Sequence, residues 1–599
     1  MTEPRTLPQL FVQQVARQGD RVAIRFKEYG IWHRVTWKQY GLEVDRVAAA
    51  LLAFGLRPQE NVAVLGENRP EWLYCHLGIQ TAGGATCGIY PTSAPDQIKY
   101  LLNHSEARLL FVDNEEQLDK ALQILADTHV ERVVVWDAKG LWGFTDERVV
   151  FFEDFLKQAM IFAESRPRAV ALRRENGQPD DTAMIIYTSG TTGPPKGAML
   201  SHASILWGTE AAQTINPVSQ DDEVVSYLPF AHVYENLISV FGGVRAGYAV
   251  NFVESMDTLF QNVREISPTY FGSVPRLWEK LASTVELRMD DSTWFKRTLY
   301  RWAVGVGRRY ARVTYRPGGA PLSLRALYTV ASWLVLSHLK RRLGFDRIRL
   351  AVCGAAPASP ELFEFYHALG IPLIEGYGMT ESTGVISLNP ASRPRVGTVG
   401  QPLPGVEVRL AEDGEILTRG PHVFKGYFKD PELTAQTVDR DGWLHTGDVG
   451  GWEDGYLKIM DRKKDIIITA GGKNITPAYI ENKLKFSPYI QDAVVVGDRR
   501  KYLIALVLID EDNVTKFAQD QRVPFTTFQD LTQSPEIVRL IEGEVDKVNK
   551  TLSQVEGIKK VALLPRRFYE EEGDVTPTKK VKRRSLEERY ADLIERLYR

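Results

Sequence analysis

Between Tyr187 and Gly197 the chain reads YTSGTTGPPKG, which packs three glycines, four aliphatic hydroxyls and one lysine into eleven residues. That mixture suits an anion. Glycines let backbone N–H groups come close to a ligand, hydroxyls donate without repelling it, and Lys196 adds a point charge. The expected anion is a phosphate. The spacing is not that of a Walker A loop, because no Gly-Lys-Ser/Thr closes it. A solvated surface turn would explain an isolated GTTG, but not the whole string. Further strings of chemistry-bearing residues follow: LPFAHVYE from Leu228, GAAP from Gly354, EGYGMTES from Glu375, GWLHTGD from Gly442, DRKKD from Asp461 and TPTKKVKRR from Thr576.

Elements must position these strings. Asp181-Thr-Ala-Met-Ile-Ile-Tyr reads as a short buried strand feeding the first loop, the place where open α/β sheets hold ligands. Strands are expected at Val22–Phe26, at Asn61-Val-Ala-Val-Leu-Gly, at Arg108–Asp113 and at Arg132–Asp137. Helical spacing covers Trp37–Leu56 and Pro70–Thr81. Repeated βα units imply a largely parallel sheet covered on both faces. After about Gly400 the texture changes. Val406–Leu410, Gly414–Arg419 and Gly455–Met460 read as short strands between Gly/Asp turns, as in a small antiparallel or barrel-like region. Ala493–Gly497 and Tyr502–Ile509 open a new strand-rich unit that ends in charged helices. The fold class is therefore α/β: a large N-terminal domain of layered α/β sheets with a barrel-like part, plus a small α+β C-terminal domain. The boundary falls near Asp461–Asp465, giving domains at 1–462 and 463–599.

The 599 residues exceed one core. A net charge of −2 provides no global field for nucleic acid. Cys75, Cys87 and Cys353 lie far apart without metal-ligand spacing, which fits a reducing compartment. MTEPRTLPQL has no apolar stretch after a basic start, so no signal peptide is expected, and no run of about eighteen apolar residues suggests a spanning helix. The segment 295–350 stands apart: thirteen Lys/Arg face one acid, Asp346, with Trp302, Tyr310, Tyr315, Tyr328 and Trp333 interleaved. Within it the apolar run Ala326–Leu336 is too short to cross a bilayer. Two readings stay open, a helix on an anionic membrane surface and a core helix with a solvated basic face.

In this order and at these separations, the strings resemble the adenylate-forming superfamily over nearly the whole chain. HVYEN, FGSVPRLWEK, EGYGMTES, GGKNITPAYIE and TPTKKVKRR are most similar to long-chain fatty acyl-CoA synthetases. The resemblance implies two half-reactions: a carboxylate attacks the α-phosphate of Mg·ATP to give acyl-AMP and pyrophosphate, and the coenzyme A thiol then displaces AMP. It also implies roles for residues. Thr188, Ser189, Gly190, Thr191, Thr192, Gly193 and Lys196 would hold the departing phosphates, Thr380 would donate to the α-phosphate, and Glu381 would ligate Mg²⁺. Gly354, Ala355, Ala356, Gly376 and Gly378 would wall the adenine, with Tyr377 stacked on it. Asp448 and Arg462 would hold the ribose. His232 would orient the acyl carboxylate. Lys580 would bridge carboxylate and α-phosphate; the usual glycine before it is replaced by Lys579, so Lys579 and Lys582 remain alternatives. Lys464 would be the hinge, swapping Lys580 for Gly471, Gly472 and Lys473 at a pantetheine tunnel. Val233, Tyr234, Phe271, Gly272, Ser273 and Val274 would line the acyl pocket.

The resemblance thus implies a fatty acid–CoA ligase using ATP, Mg²⁺ and coenzyme A, cytoplasmic or peripheral on a membrane, with no nucleic-acid partner. Two rivals stand beside it. One is an adenylating ligase for a medium-chain or aryl acid or for a carrier-protein acceptor. The other is a non-catalytic protein that binds lipid or a membrane surface.

Overall fold

The computed structural model describes residues 3–188, 194–315, 318–569, 572–576 and 580–599. Six strands run parallel through the largest sheet: Asn61–Leu65, Ala85–Ile89, Leu109–Val112, Arg132–Val135, Val149–Phe151 and Thr182–Thr188. Such strands are buried on both faces, hence their continuous Val/Ile/Leu character. Thr182–Thr188 then pairs antiparallel with Lys196–Ser201, with Thr188 opposite Lys196. Gly426–Tyr427 closes that edge by pairing with Ala198 and Met199. Thr188 and Lys196 are therefore held opposite each other at the carboxyl end of the parallel sheet.

One strand is placed differently from its sequence expectation. Val22–Glu28 does not join the parallel sheet. It pairs parallel with Ala249–Phe252 and antiparallel with Ile31–Thr36 in a second, four-stranded sheet. The reason is local: Tyr29 (φ 49°) and Gly30 (φ 77°) both take left-handed backbone, the geometry of a two-residue hairpin turn.

A third sheet aligns Tyr270–Ser273, Leu350–Cys353 and Leu373–Tyr377 in parallel. The strings from Phe271, Gly354 and Gly376 thus emerge side by side at the ends of neighbouring strands. A four-stranded antiparallel sheet follows, in the order Glu407–Leu410, Glu415–Arg419, Leu444–Glu453, Tyr456–Arg462. From Ile467 onward a smaller unit surrounds the strand Leu503–Ile509, all seven residues of which are buried. Ile490–Val496 and Ile558–Leu563 flank that strand, and the helices Pro477–Lys485 and Pro535–Asn549 pack in the same core.

The basic segment forms a helical hairpin. Trp294–Thr314 is one helix, and Leu322–Arg342 runs as a second, continuous helix of 21 residues. This corrects the expectation from the apolar run alone: by length and composition the second helix is long enough to cross a membrane. It packs back on the first helix through the stacked rings of Tyr310 and Tyr328, 4.1 Å between centroids, and buries Ala331 and Leu336 in the domain core.

Candidate active site

The convergence of the strings follows from topology. Lys196 starts the strand returning from the Gly/Thr loop, and its ammonium lies 5.7 Å from the ring centroid of Tyr427. The Tyr427 hydroxyl donates to Glu381 Oε1 at 2.6 Å. Glu381 is buried in a short 3₁₀ turn over Thr380–Ser382, where its carbonyl accepts the Phe424 N–H at 2.9 Å. Thr380 is buried beside it. One buried lysine-facing phenol thus connects the strand after the phosphate loop to the carboxylate of EGYGMTES.

The residues expected to hold the nucleotide form a second cluster. The Tyr377 hydroxyl donates to Asp448 Oδ2 at 2.6 Å, and Arg462 Nε lies 3.4 Å from Asp448 Oδ1. Asp448 and Arg462 face each other across adjacent strands, so their proximity is fixed by register. Asp448 is 7% exposed. Burial pushes its pKa up, opposed by the Arg462 charge and the Tyr377 hydroxyl. Ala355, following the strand Leu350–Cys353, has φ 69°. A non-glycine residue in left-handed backbone costs about 1 kcal/mol or more, and such strain collects where backbone must face a ligand. A Cβ on Gly378 would lie 2.2 Å from the Gly384 carbonyl oxygen, so only glycine fits there.

His232 caps the helical turn that follows it: its Nδ1 accepts the Tyr234 N–H at 3.2 Å. In a neutral ring the proton then sits on Nε2, free to donate. Burial, with the Lys580 charge nearby, holds the pKa down at about 3, so the ring is neutral at working pH. The loop is braced by Glu235, which accepts from Ser226 Oγ at 2.6 Å and from the Leu228 N–H at 3.2 Å. Asn236 donates to the Phe230 carbonyl at 2.6 Å. The Glu in the LPFAHVYE string is therefore a buried brace, a role its spacing alone did not disclose.

Lys580 reaches this cleft from the C-terminal unit. Its N–H donates to Thr576 Oγ1 at 3.1 Å while its carbonyl accepts the Thr576 N–H at 2.8 Å, closing a tight hairpin. The base of the hairpin is anchored by fully buried Asp574, which takes Arg566 Nη2 at 2.9 Å, Arg589 Nε at 3.3 Å and the Tyr569 N–H at 3.0 Å. Although Lys580 keeps solvent-accessible surface, protein crowds its ammonium. Desolvation, then the Arg462 charge, push its pKa down to about 8 against the opposing pull of Asp448 and Glu381. The C-terminal unit is held in this position by Lys483 on Glu361 at 3.0 Å and by Lys516 on Asp291 at 2.6 Å. Lys464, in the turn between the units, feels Arg462, Asp448 and Lys196; desolvation and the Arg462 charge lower its pKa.

The structure thus brings together Lys196, His232, Tyr377, Glu381, Asp448, Arg462 and Lys580. Ser189, Gly190, Thr191, Thr192, Gly193 and the alternative Lys579 lie outside the described residues. The AMP-binding enzyme model matches residues 11–428, and the AMP-binding enzyme C-terminal domain matches residues 464–599. The chain belongs to the AMP-binding enzyme family. Among its relatives, long-chain-fatty-acid–CoA ligase ACSBG1 of Rattus norvegicus is 33% identical, over 99% of this chain and 86% of that protein. Long-chain-fatty-acid–CoA ligase FadD15 of Mycobacterium bovis is also 33% identical, over 95% of this chain and 93% of its own length. In fold, the chain matches the anthranilate CoA ligase AuaEII in complex with anthranoyl-AMP. That match has a TM-score of 0.74 and 19% identity, and covers 98% of each chain.

Not every expected residue of this AMP-binding enzyme lies in the cleft. Gly471, Gly472 and Lys473 are exposed, in a hairpin held by Thr469, whose N–H donates to the Lys473 carbonyl at 3.0 Å. Phe271 is 1% exposed and packs between Trp278 and Phe345, with ring centroids 5.3 and 5.4 Å away. It is a core residue, because strand alternation turns it away from the face of Gly272. Gly272 and Gly354 instead sit under Tyr234, whose hydroxyl donates to the Val352 carbonyl at 3.3 Å. Val233 is buried next to Gly384, Ser273 is buried in the strand, and Val274 caps the following helix.

Sequence reasoning missed Tyr427, because nothing in KGYFKDPEL distinguishes it from a core aromatic. Its geometry predicts a specific defect. Tyr427→Phe keeps the ring beside Lys196 but removes the hydrogen bond to Glu381. A hydrogen bond to a charged group contributes about 1.5–3 kcal/mol. Turnover titrated with Mg²⁺ at fixed ATP is expected to need about tenfold more cation in the variant; an unchanged Mg²⁺ dependence contradicts the role.

Proposed function

We propose that the protein is a long-chain fatty acid–CoA ligase of the cytoplasm that works at an anionic membrane surface. The carrying observation is Lys580, delivered by the C-terminal unit within electrostatic reach of His232, Asp448 and Glu381. The names of the relatives support the same reading.

A carboxylate is a poor acylating agent, and activation as a mixed anhydride supplies a leaving group. A fatty-acid oxygen attacks the α-phosphorus of ATP, and the bond from that phosphorus to the pyrophosphate oxygen breaks. Negative charge crowds the α-phosphate as this happens. Lys580 and the Thr380 hydroxyl face that charge, and His232 Nε2–H holds the incoming carboxylate. Such fixed donors and cations supply much of the catalysis in phosphoryl-type transfers. The thiol sulfur of coenzyme A then attacks the acyl carbon, and AMP leaves. Rotation about Lys464, between residues 1–462 and 463–599, would exchange Lys580 for Gly471, Gly472 and Lys473.

The donor set fits Mg²⁺. Among the described residues no cluster of three or more His, Cys, Asp or Glu could hold a metal alone. A single buried carboxylate suits an ion shared with phosphate oxygens and water. Glu381 would hold it, and the bound ion would neutralise phosphate charge.

The test is coenzyme A-dependent AMP release across saturated acids from acetate to stearate. Each buried CH₂ contributes about 0.8 kcal/mol, so efficiency is expected to climb steeply with chain length. A flat series, or turnover of aryl acids only, refutes the long-chain reading.

A further inference from the structure

The hairpin of helices Trp294–Thr314 and Leu322–Arg342 takes no part in the cleft chemistry. Its second helix is divided lengthwise. Residues 328, 331, 335 and 339 form the inner stripe, which recurs every three or four positions and packs on the domain. The outer stripe carries large apolar side chains in water. Leu322 is 81% exposed and Trp333 is 73% exposed, and Leu327, Val330 and Leu334 are exposed with them. On the first helix Trp294, Phe295 and Trp302 are exposed as well. Only 11% of the most apolar window of the second helix is buried. A monomeric soluble surface rarely leaves such a contiguous apolar stripe bare.

Charge decides what covers it. Arg325, Arg341 and Arg342 are exposed on the same helix, and Lys296 and Arg309 on the other. Across 295–350 there are thirteen basic residues and one acid; Arg301, Arg312, Arg347 and Arg349 pair with Asp290, Glu364, Glu223 and Asp222 outside the segment, and the balance of the face stays positive. A second copy of the chain would set this positive face against itself. An occupant that is apolar within and anionic at its rim satisfies both features. The geometry points to an anionic lipid bilayer, with Trp333 and its neighbours seated at acyl-chain depth and the arginines on lipid phosphates. The helix lies in the interface and does not span it, because Ala331 and Leu336 stay packed in the domain core.

The face is coupled to the site. Three residues past the second helix, the Phe345 ring packs on Phe271 in the strand that carries Gly272 and Ser273. An acid partitioned in the bilayer would thus be taken up next to the element that walls the acyl end of the cleft. This delivery role rests on the ligase reading; the docking surface does not.

The test is co-sedimentation of the full chain with vesicles of phosphatidylcholine alone or with about 30% phosphatidylglycerol. It compares wild type with Trp333→Ser/Leu334→Ser and with Arg341→Glu/Arg342→Glu. All four positions are exposed or at the helix end, so folding is retained, and turnover of water-soluble octanoate serves as the control. Wild type is expected to bind the anionic vesicles roughly tenfold or more better than the neutral ones, and both double variants to lose that binding with octanoate turnover intact. Equal binding by wild type and variants overturns the inference. So does a dimer in lipid-free buffer that Trp333→Ser/Leu334→Ser dissociates, or an acidic protein that displaces no vesicle but requires the same residues. Vesicle binding by a wild type that turned over no acid would support the surface and refute the ligase reading alone.

Discussion

Lys580→Ala is expected to lower acyl-AMP formation by about 10²–10³-fold, the scale on which one preorganised charge at a transition state acts. Thioester formation from supplied acyl-AMP and coenzyme A should survive, because the proposed role of Lys580 is toward the α-phosphate of the first step and toward no atom that reacts in the second. Loss of both steps would show that Lys580 serves the fold of the C-terminal unit and not the chemistry. The pH profile carries a second readout. The Lys580 pKa is pushed down to about 8, so in the free enzyme the ammonium is charged below that pH and neutral above it. kcat/KM for adenylation should therefore fall as pH rises through about 8. In Lys580→Arg the descending limb should move upward, whatever the residual rate, since a guanidinium does not titrate in that range.

The second large effect is at Asp448. Asp448→Ala is expected to raise KM for ATP by about 10²-fold and to leave KM for the fatty acid unchanged. The substitution removes the proposed acceptor for ribose hydroxyls and strands the Tyr377 hydroxyl and the Arg462 guanidinium, both aimed at the missing carboxylate. Discrimination makes the test specific. A site built to bond a hydroxyl rejects the analogue that lacks it. Wild type should strongly prefer ATP to 2′,3′-dideoxy-ATP, and Asp448→Ala should treat the two nearly alike. Retained discrimination in the variant would remove Asp448 from the ribose site.

Much of this cleft was legible in the sequence because its parts are local. A Gly/Thr loop after a buried strand, an acid closing EGYGMTES and an aspartate closing GWLHTGD each advertise their chemistry within ten residues. Their assembly was not legible. Asp448 meets Arg462 through an antiparallel register, and Tyr377 meets Asp448 across two different sheets. Tyr427 reaches Glu381 only because Gly426–Tyr427 adds an edge strand beside Ala198 and Met199. Periodicity identifies strands without their partners, so the strand expected at Val22–Phe26 carries no sign that it pairs with Ala249–Phe252 and not with the largest sheet. Phe271 and Gly272 are neighbours in sequence, but strand alternation sends them to opposite faces, which a sequence string does not display. The hairpin of 294–342 was half legible. Its composition was plain, but counting only the apolar run cut short a helix that continues through Arg325, Arg341 and Arg342.

One cleft is proposed to couple a fatty acid to ATP through an acyl-adenylate before coenzyme A arrives. The most direct measurement is exchange of labelled pyrophosphate into ATP, with palmitate present and coenzyme A absent. The predicted result is exchange that depends on palmitate and Mg²⁺ and is lost in Lys580→Ala. Absence of exchange in wild type, or exchange that appears only when coenzyme A is added, would contradict it.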